Sequence, residues 1–293
     1  MSHPRAGVAV ACLLLAQAPQ ETAPLEEILA RLDRLSELYR DQALQFACDE
    51  RLTYVNATNE REVHDFEYIY VYDEARGFLD YRTLPRAGLK KGEPPAEIDP
   101  AVYTLPFFVR RAYSWIFIFE RGKRGMYHYT LEGDETVRGR RASRVRFEPV
   151  PPYQHDLNDW IGTAWVDQDD HQIVRIEAQK EDQRATKVAF ERLLSGADPI
   201  EDQAGKTYSF SEVVTDFKVQ KSGLAFPDAI VMTRTRCAAR PDRHGIKSTC
   251  WPAYSVTQKY SNYRFFAIRT REEIRDFLSG APAAANPPGS PTP

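Results

Sequence analysis

The sequence predicts a mainly β (α+β) fold, built as one curved antiparallel sheet or half-barrel. An N-terminal helix and short lid helices are expected to cover its concave face. Three observations predict this: strand-like alternation along much of the chain, one helical apolar stripe near the start, and a proline-interrupted apolar segment between strands. With 293 residues, 42% hydrophobic and 28% charged, the chain can bury a sizeable core in a single domain.

The clearest alternation runs from Val137 to Lys180. Near its end, Val174, Ile176 and Ala178 are separated by polar side chains, which is the period-two pattern of a strand with one wet face. The DQDDHQ stretch before them is typical of a tight polar turn. The region is therefore predicted to be long-stranded antiparallel sheet.

A helix is predicted from Pro24 to about Ala43. Proline suits the first helical position, and apolar residues follow at helical spacing. These are Leu25, Ile28, Leu29, Leu32 and Leu35. A helix with one apolar stripe needs a surface to cover, and the predicted sheet supplies one.

The other strands are predicted from alternating or continuous apolar runs. They are Gln42–Val55, His64–Tyr72, Phe78–Thr83, Trp115–Glu120, Met126–Leu131, Thr207–Val219, Ala229–Cys237 and Tyr254–Phe266. Between the third and fourth, Ile98-Asp99-Pro100 is a helix-start signal, and the helix must be interrupted at Pro106 before a second piece runs to about Tyr113. RGKRG (Arg121 to Gly125) is predicted to be a hairpin turn, and Arg271 to Leu278 to be a short terminal helix.

Residues 1–18 fit a secretory signal peptide. One basic residue precedes an apolar run that ends in Ala16-Gln17-Ala18, a small-residue cleavage site. An untargeted apolar N-terminus and a lipoprotein site at Cys12 remain alternatives. The single domain is predicted over 24–278 and a disordered Pro/Ala-rich tail over 280–293. No other segment is predicted to span a membrane, so a periplasmic or secreted location is expected.

The cysteines suggest an oxidising compartment. Cys237 and Cys250 flank a turn-rich stretch that a disulfide could staple. Cys48 shares strand parity with apolar neighbours and is predicted to point inward as a small hydrophobe. The alternative for all three is reduced, buried thiols.

No catalytic, metal or cofactor motif is present. AGKT (Ala204 to Thr207) lacks the first glycine and the following helix of a phosphate loop. The six histidines are scattered, and no G-x-S-x-G elbow or catalytic cysteine setting occurs. The chain is therefore predicted not to be an enzyme and to need no cofactor. A hydrolase with an unrecognised site stays as an alternative.

The middle of the chain is rich in arginine. These side chains could meet an anionic surface, such as lipid headgroups or an acidic partner. They are Arg110, Arg111, Arg140, Arg144 and Arg146. The alternative is the solvated face of paired strands. Nucleic acid is not an expected partner for a secreted chain of pI about 6.1.

An unusually aromatic strand suggests a ligand cavity. Phe66, Tyr68 and Tyr70 alternate on one face of it. Together with three residues of the interrupted helix, they are predicted to enclose an apolar cavity that takes an acyl chain. The helix residues are Phe107, Phe108 and Tyr113. The alternative is that all six are simply core.

The order of elements resembles the LolA-like periplasmic lipoprotein-carrier superfamily. The matching features are the secretory start, the Leu25–Leu38 helix, the strands from Phe46, the helical interruption at Pro100–Tyr113 and a strand-turn-strand over Trp165–Glu177. A G-x-x-A-x-x-V-x-F strand adds to them, formed by Gly139, Ala142, Val145 and Phe147. The resemblance covers roughly Pro24 to Ile268 and implies a curved antiparallel sheet around helices, with an apolar cavity for acyl chains.

These features together predict a non-catalytic cell-envelope protein that binds a lipid or a lipidated partner in an apolar cavity. An envelope interaction or regulatory module, whose cavity is filled by its own side chains, is the alternative.

Overall fold

In the computed structural model, the described residues are 22–42, 46–73, 77–83, 112–151, 160–196, 207–221, 223–242 and 245–265. The predicted signal peptide, most of the predicted lid, the terminal helix and the Pro/Ala-rich tail lie outside them. Those four expectations therefore stay predictions.

Ten strands form one antiparallel sheet in the order β3-β2-β1-β10-β9-β8-β7-β6-β5-β4. The sheet is curved and unclosed, so the predicted mainly β fold class is confirmed. The strands are β1 (Phe46–Asn56), β2 (Arg61–Asp73), β3 (Gly77–Thr83), β4 (Tyr127–Val137), β5 (Arg140–Pro149), β6 (Trp160–Asp167), β7 (Ile173–Lys180), β8 (Thr207–Lys221), β9 (Leu224–Asp242) and β10 (Gly245–Phe265).

Helix α1 (Thr22–Gln42) is the predicted N-terminal helix. Its apolar stripe is buried through Leu29, Leu32, Leu35 and Tyr39. These side chains join one large apolar cluster that also takes side chains from most of the strands. The helix therefore covers one face of the sheet, as the stripe predicted.

The segment predicted as a strand at Trp115–Glu120 is instead a 3-10 helix, Ala112–Phe119. Five consecutive residues of this aromatic 3-10 helix, Trp115 to Phe119, are all buried. A short element that is apolar on every side has no period by which a strand and a helix can be told apart. The RGKRG stretch is also different from the prediction, because it contains a second 3-10 helix, Arg121–Lys123, rather than a simple hairpin turn.

One predicted inward residue points outward. Val174 packs with Ala142 and Trp165 in a small separate cluster, whereas Ile173 and Ile176 join the main core. The β6–β7 register shifts between Trp165 and Val166. A bulge adds one residue to a strand and so reverses which face the following side chains take.

A second helix, α2 (Glu181–Leu194), was not among the predicted elements. It buries Phe190 and Leu193. These two side chains pack with β8 and β9 in a second cluster that includes Cys237. The predicted disulfide joins Cys237 to Cys250, and Cys48 is buried and takes no part in it.

Candidate functional site

The aromatic strand residues lie together on the inner face of β2. Phe66, Tyr68 and Tyr70 are 3%, 1% and 0% exposed. The Phe46 ring of β1 stacks on Tyr70, with ring centres 5.5 Å apart, and lies 6.2 Å from Tyr68. We call Phe46, Phe66, Tyr68 and Tyr70 the aromatic wall. Phe66, Tyr68 and Tyr70 are the strand residues of the predicted cavity, and the structure brings them together with Phe46.

The lid half of the predicted cavity lies largely outside the described residues. Phe107 and Phe108 lie outside the described residues. Tyr113 lies in the aromatic 3-10 helix, of which the structure describes the backbone at this position but not the side chain. The contacts of these residues with the aromatic wall therefore remain a prediction.

The described cover over the sheet consists of α1 and the aromatic 3-10 helix. Trp115 donates its indole N–H to the Thr215 hydroxyl on β8, at 3.0 Å and in a buried setting. The Tyr39 hydroxyl donates to the Ala225 carbonyl on β9. The two cover elements are also joined to each other, since Arg40 pairs with Glu120 at the end of the 3-10 helix. The cover is thus apolar over most of its contact and fixed by hydrogen bonds at defined points.

A buried polar cluster lies beside the aromatic wall. Arg82 of β3 donates to Glu50 of β1 through Nε at 2.5 Å and through Nη2 at 3.0 Å. Gln258 and Tyr260 of β10 donate to the same carboxylate at 2.7 and 3.1 Å. The Arg82 guanidinium also lies over the Tyr68 ring, 4.9 Å from its centre. We call Glu50, Arg82, Gln258 and Tyr260 the buried ion cluster.

The charges of this cluster are set by burial and pairing. Burial alone would lower the pKa of Arg82, but the Glu50 carboxylate and its hydrogen bonds raise that pKa above the ordinary value, so the guanidinium stays protonated. Burial raises the pKa of Tyr260 well above its ordinary value, and Glu50 adds to the effect. The hydroxyl therefore stays neutral and donates to the carboxylate.

The sequence patterns did not predict this cluster, although one signal was present. Glu50 lies between Cys48 and Leu52 at an inward position, and all three are buried. A charged residue at an inward position needs a buried partner. The identity of that partner depended on β3 pairing with β2 and β2 with β1, which the sequence did not reveal.

The central arginines are paired on the outer face of the sheet. Arg140 contacts Asp167 and Asp170 at 2.7 and 2.6 Å. Arg144 pairs with Glu132 at 2.9 Å and Arg146 with Glu148 at 2.6 Å, while Arg110 and Arg111 lie outside the described residues. This arrangement favours the alternative of a solvated face, and contact with an anionic surface through these arginines remains a prediction.

A groove of about 920 Å³ is lined by residues of β1, β2, β8, β9 and β10. It is lined by charged side chains of both signs, among which Arg51 pairs with Asp65 and Arg264 with Asp49. Phe66, one of the predicted cavity residues, also lines this groove, as do Glu50 and Tyr260 of the buried ion cluster. In the described ranges, no group of three His, Cys, Asp or Glu side chains could hold a metal ion.

Comparison with known proteins gives matches only among solved structures. No family model matches the chain, and no curated protein matches it. A putative outer membrane lipoprotein-sorting protein domain from Vibrio parahaemolyticus is 11% identical, with a TM-score of 0.45, over 85% of this chain and 97% of that one.

Two further solved structures are similar to a comparable degree. A LolA superfamily protein from Nitrosomonas europaea is 11% identical, with a TM-score of 0.39, over 85% of this chain and 96% of that one. A DUF1329 family protein from Desulfovibrio piger is 12% identical, with a TM-score of 0.42, over 83% and 93%. The LolA superfamily, which the sequence resembles, is thus named among these structures. Similarity at these identities and TM-scores does not establish a function for this chain.

Proposed function

We propose that this chain is a non-catalytic cell-envelope protein that binds a lipid or a lipidated partner between the concave face of its sheet and the cover. The observation that carries the proposal is the aromatic wall. It supplies a large apolar surface from two adjacent strands, and it belongs to the same apolar cluster as α1 and the aromatic 3-10 helix, the two separate helical pieces that cover the sheet. Such pieces can move apart more easily than paired strands.

Two observations support a location in the envelope. The chain begins with an apolar run that ends in a small-residue cleavage signal. The structure contains a Cys237–Cys250 disulfide, and disulfides are typical of proteins in oxidising compartments. Among the described residues, no helix has both the length and the apolar character needed to cross a membrane.

The expected ligand is an acyl chain held mainly by the hydrophobic effect. Each buried methylene contributes about 0.8 kcal/mol, so affinity should rise about fourfold with each added methylene until the cavity is full. The buried ion cluster would act indirectly, because Arg82 lies over Tyr68 and fixes that part of the wall.

Two measurements test the proposal. An organic extract of the purified protein, analysed by mass spectrometry, should contain a bound lipid. Calorimetry with fatty acids of graded length on the delipidated protein should show affinity that increases with length. A protein that yields no lipid and binds no fatty acid contradicts the proposal.

A variant pair locates the binding site. Phe108→Asp, in the predicted lid, should weaken fatty-acid binding more than it lowers the free energy of unfolding. The matched control is Val63→Asp on β2, because Val63 is 44% exposed and does not belong to the apolar cluster. Equal loss of binding in both variants contradicts a cavity under the lid.

An interaction module is the second candidate, and one observation favours it. The aromatic wall residues Phe66, Tyr68 and Tyr70 are almost completely buried by the protein's own atoms. A wall closed in this way could be simply core, with binding carried out elsewhere on the surface. Absence of bound lipid in the extract, together with a well-folded protein, would support this candidate over the carrier.

A further inference from the structure

Strands β9 and β10 are the two longest strands of the sheet, and they form a hairpin. They comprise 19 and 21 residues, and the pairing continues from Lys259↔Ala229 to Gly245↔Asp242. Cys237 lies directly opposite Cys250 within this pairing, and the disulfide joins them. The outer half of the hairpin is therefore a covalently fixed ribbon.

The two faces of this ribbon differ in chemistry. On one face, Cys237 and Ala239 are buried against Phe190 and Leu193 of α2. Side chains alternate between faces along a strand, so the residues between them belong to the opposite face. That opposite face continues the inner face of the sheet, because Met232 has the same parity and joins the main core.

Cations and one tryptophan occupy the opposite face. Arg236 lies across from Trp251, and Arg240 lies across from Lys247. Residues opposite each other in an antiparallel pair share a face, so these four side chains form one strip, which we call the cationic strip. Arg236, Arg240 and Lys247 are exposed, and Trp251 is 37% exposed.

The charges of the strip have no carboxylate partner within the described part of the chain. Arg236, Arg240 and Lys247 form no ion pair there, in contrast to the outer-face arginines Arg140 and Arg144, which are paired with Asp or Glu. The neighbouring Arg234 points the same way and is held by Ser209 and Ser211 rather than by an acid. The strip therefore keeps its full positive charge.

We propose that the cationic strip docks this protein on the surface of an anionic lipid bilayer. Unpaired Arg and Lys side chains are attracted by the negative potential of such a surface, each by an amount equivalent to about a fivefold gain in affinity. A partly exposed tryptophan prefers the headgroup region, where one edge of its ring is wet and the rest apolar. The ribbon carries both groups on one face and is held from behind by α2.

This geometry fits a bilayer better than it fits a folded acidic protein. Trp251 is the one large apolar side chain among the four residues of the strip, whereas a stable protein interface needs a well-packed core of several aromatic or aliphatic groups. The proposal goes beyond ligand binding under the cover, because docking needs only the part of the hairpin near its β9–β10 turn. Failure of one proposal therefore leaves the other standing.

Flotation with lipid vesicles tests the docking. The protein should bind vesicles of equimolar phosphatidylcholine and phosphatidylglycerol, and should not bind vesicles of phosphatidylcholine alone. The variant R236Q/R240Q/K247Q should bind the mixed vesicles about a hundredfold more weakly, given about fivefold for each of three cations. Added salt should weaken binding of the unchanged protein, because the charges are exposed.

A matched variant distinguishes the effect of the strip from the effect of net charge on vesicle binding. R61Q/K123Q/K259Q removes the same number of positive charges from other parts of the surface, so it should retain nearly all of the vesicle binding. Equal losses in the two triple variants would overturn the proposal. So would binding of the unchanged protein to soluble polyglutamate but not to vesicles, which would assign the strip to an acidic protein.

Tryptophan fluorescence gives a second readout. Mixed vesicles should shift the emission of the unchanged protein to shorter wavelength, and Trp251→Phe should abolish that shift. Trp251→Phe leaves the cations in place, so it should still bind mixed vesicles. A shift that persists in Trp251→Phe would contradict insertion of this side chain at the headgroups.

Discussion

Arg82 on the edge strand β3 reaches across β2 to pair with Glu50 on β1, and the two side chains are only 2% and 0% exposed. The pair connects the margin of the sheet to the strand next to β10. Because both charges are removed from water, their mutual contact and the hydrogen bonds from Gln258 and Tyr260 must offset a large desolvation cost.

Breaking this pair should strongly destabilise the fold. Arg82→Met leaves the Glu50 charge buried without its ion partner, and should lower the free energy of unfolding by about 3–5 kcal/mol. The double variant Glu50→Gln with Arg82→Met should recover part of that loss, because neither charge is then buried. Urea unfolding measures both values. The control is Arg51→Met, which breaks an exposed, solvent-screened pair with Asp65 and should lower the free energy of unfolding far less than Arg82→Met does.

The Cys237–Cys250 disulfide should stabilise the hairpin by limiting the unfolded chain. The cysteines are 13 residues apart, and closing a loop of that length corresponds to about 3 kcal/mol. Replacing both cysteines by alanine should therefore lower the free energy of unfolding by about that amount. In the chain without residues 1–18, thiol counting under denaturing, non-reducing conditions should find one free thiol, Cys48. Three free thiols would contradict the disulfide.

Tyr39 should make the fold less stable in alkali. Burial raises the pKa of Tyr39 above its ordinary value of 10.0, so the folded protein keeps this phenol protonated where the unfolded chain does not. A raised folded-state pKa contributes stability that is complete below about pH 10 and is lost as the pH rises toward the folded-state value.

The variant Tyr39→Phe isolates this effect. Near pH 8 it should be less stable by about 1 kcal/mol, because the hydrogen bond to Ala225 is lost. Near pH 11 the difference between the two proteins should shrink or reverse. Tyr129 and Tyr260 also have raised pKa values. Both proteins contain these two residues, so their contributions cancel in the stability difference between Tyr39→Phe and the unchanged protein. A difference that does not change with pH would contradict the prediction.

Gly162 on β6 should not tolerate a side chain. A Cβ there would lie 2.2 Å from the Glu177 carbonyl oxygen and 2.9 Å from the Phe147 ring. The first contact is with backbone, so Gly162→Ala should lower the free energy of unfolding by about 1–3 kcal/mol or more. Gly125→Ala is the control, because nothing lies within 4 Å of its Cβ position, and thermal unfolding should show a lower midpoint for the first variant only.

The repeating patterns of the sequence predicted the sheet and α1 because both depend on local periodicity. The errors arose where packing rather than period decides. The Trp115–Phe119 run is buried on all sides, so its sequence carries no strand or helix signature. Val174 changed faces through a bulge, and a bulge leaves no mark in an alternating pattern.

Only those site residues that lie on a single strand could be grouped from the sequence. Phe66, Tyr68 and Tyr70 were identified as one face because they alternate along one strand. The cationic strip was missed because its members come from two strands, and their register was needed to place Arg236 beside Trp251. The buried ion cluster needed three strands, so it could not be assembled from sequence alone.

The unclosed sheet has a consequence for how the protein behaves in a crowded compartment. Its marginal strands offer backbone groups to which another chain could add, which is the first step toward fibres. On β4 the register shifts between Leu131 and Gly133, and the exposed carboxylates of Glu132, Asp134 and Glu135 follow the same margin. On the other margin, β3 is only seven residues long. Both edge strands thus disfavour the addition of a strand from another copy of the chain. The sheet can therefore stay unclosed without promoting self-association through its edges.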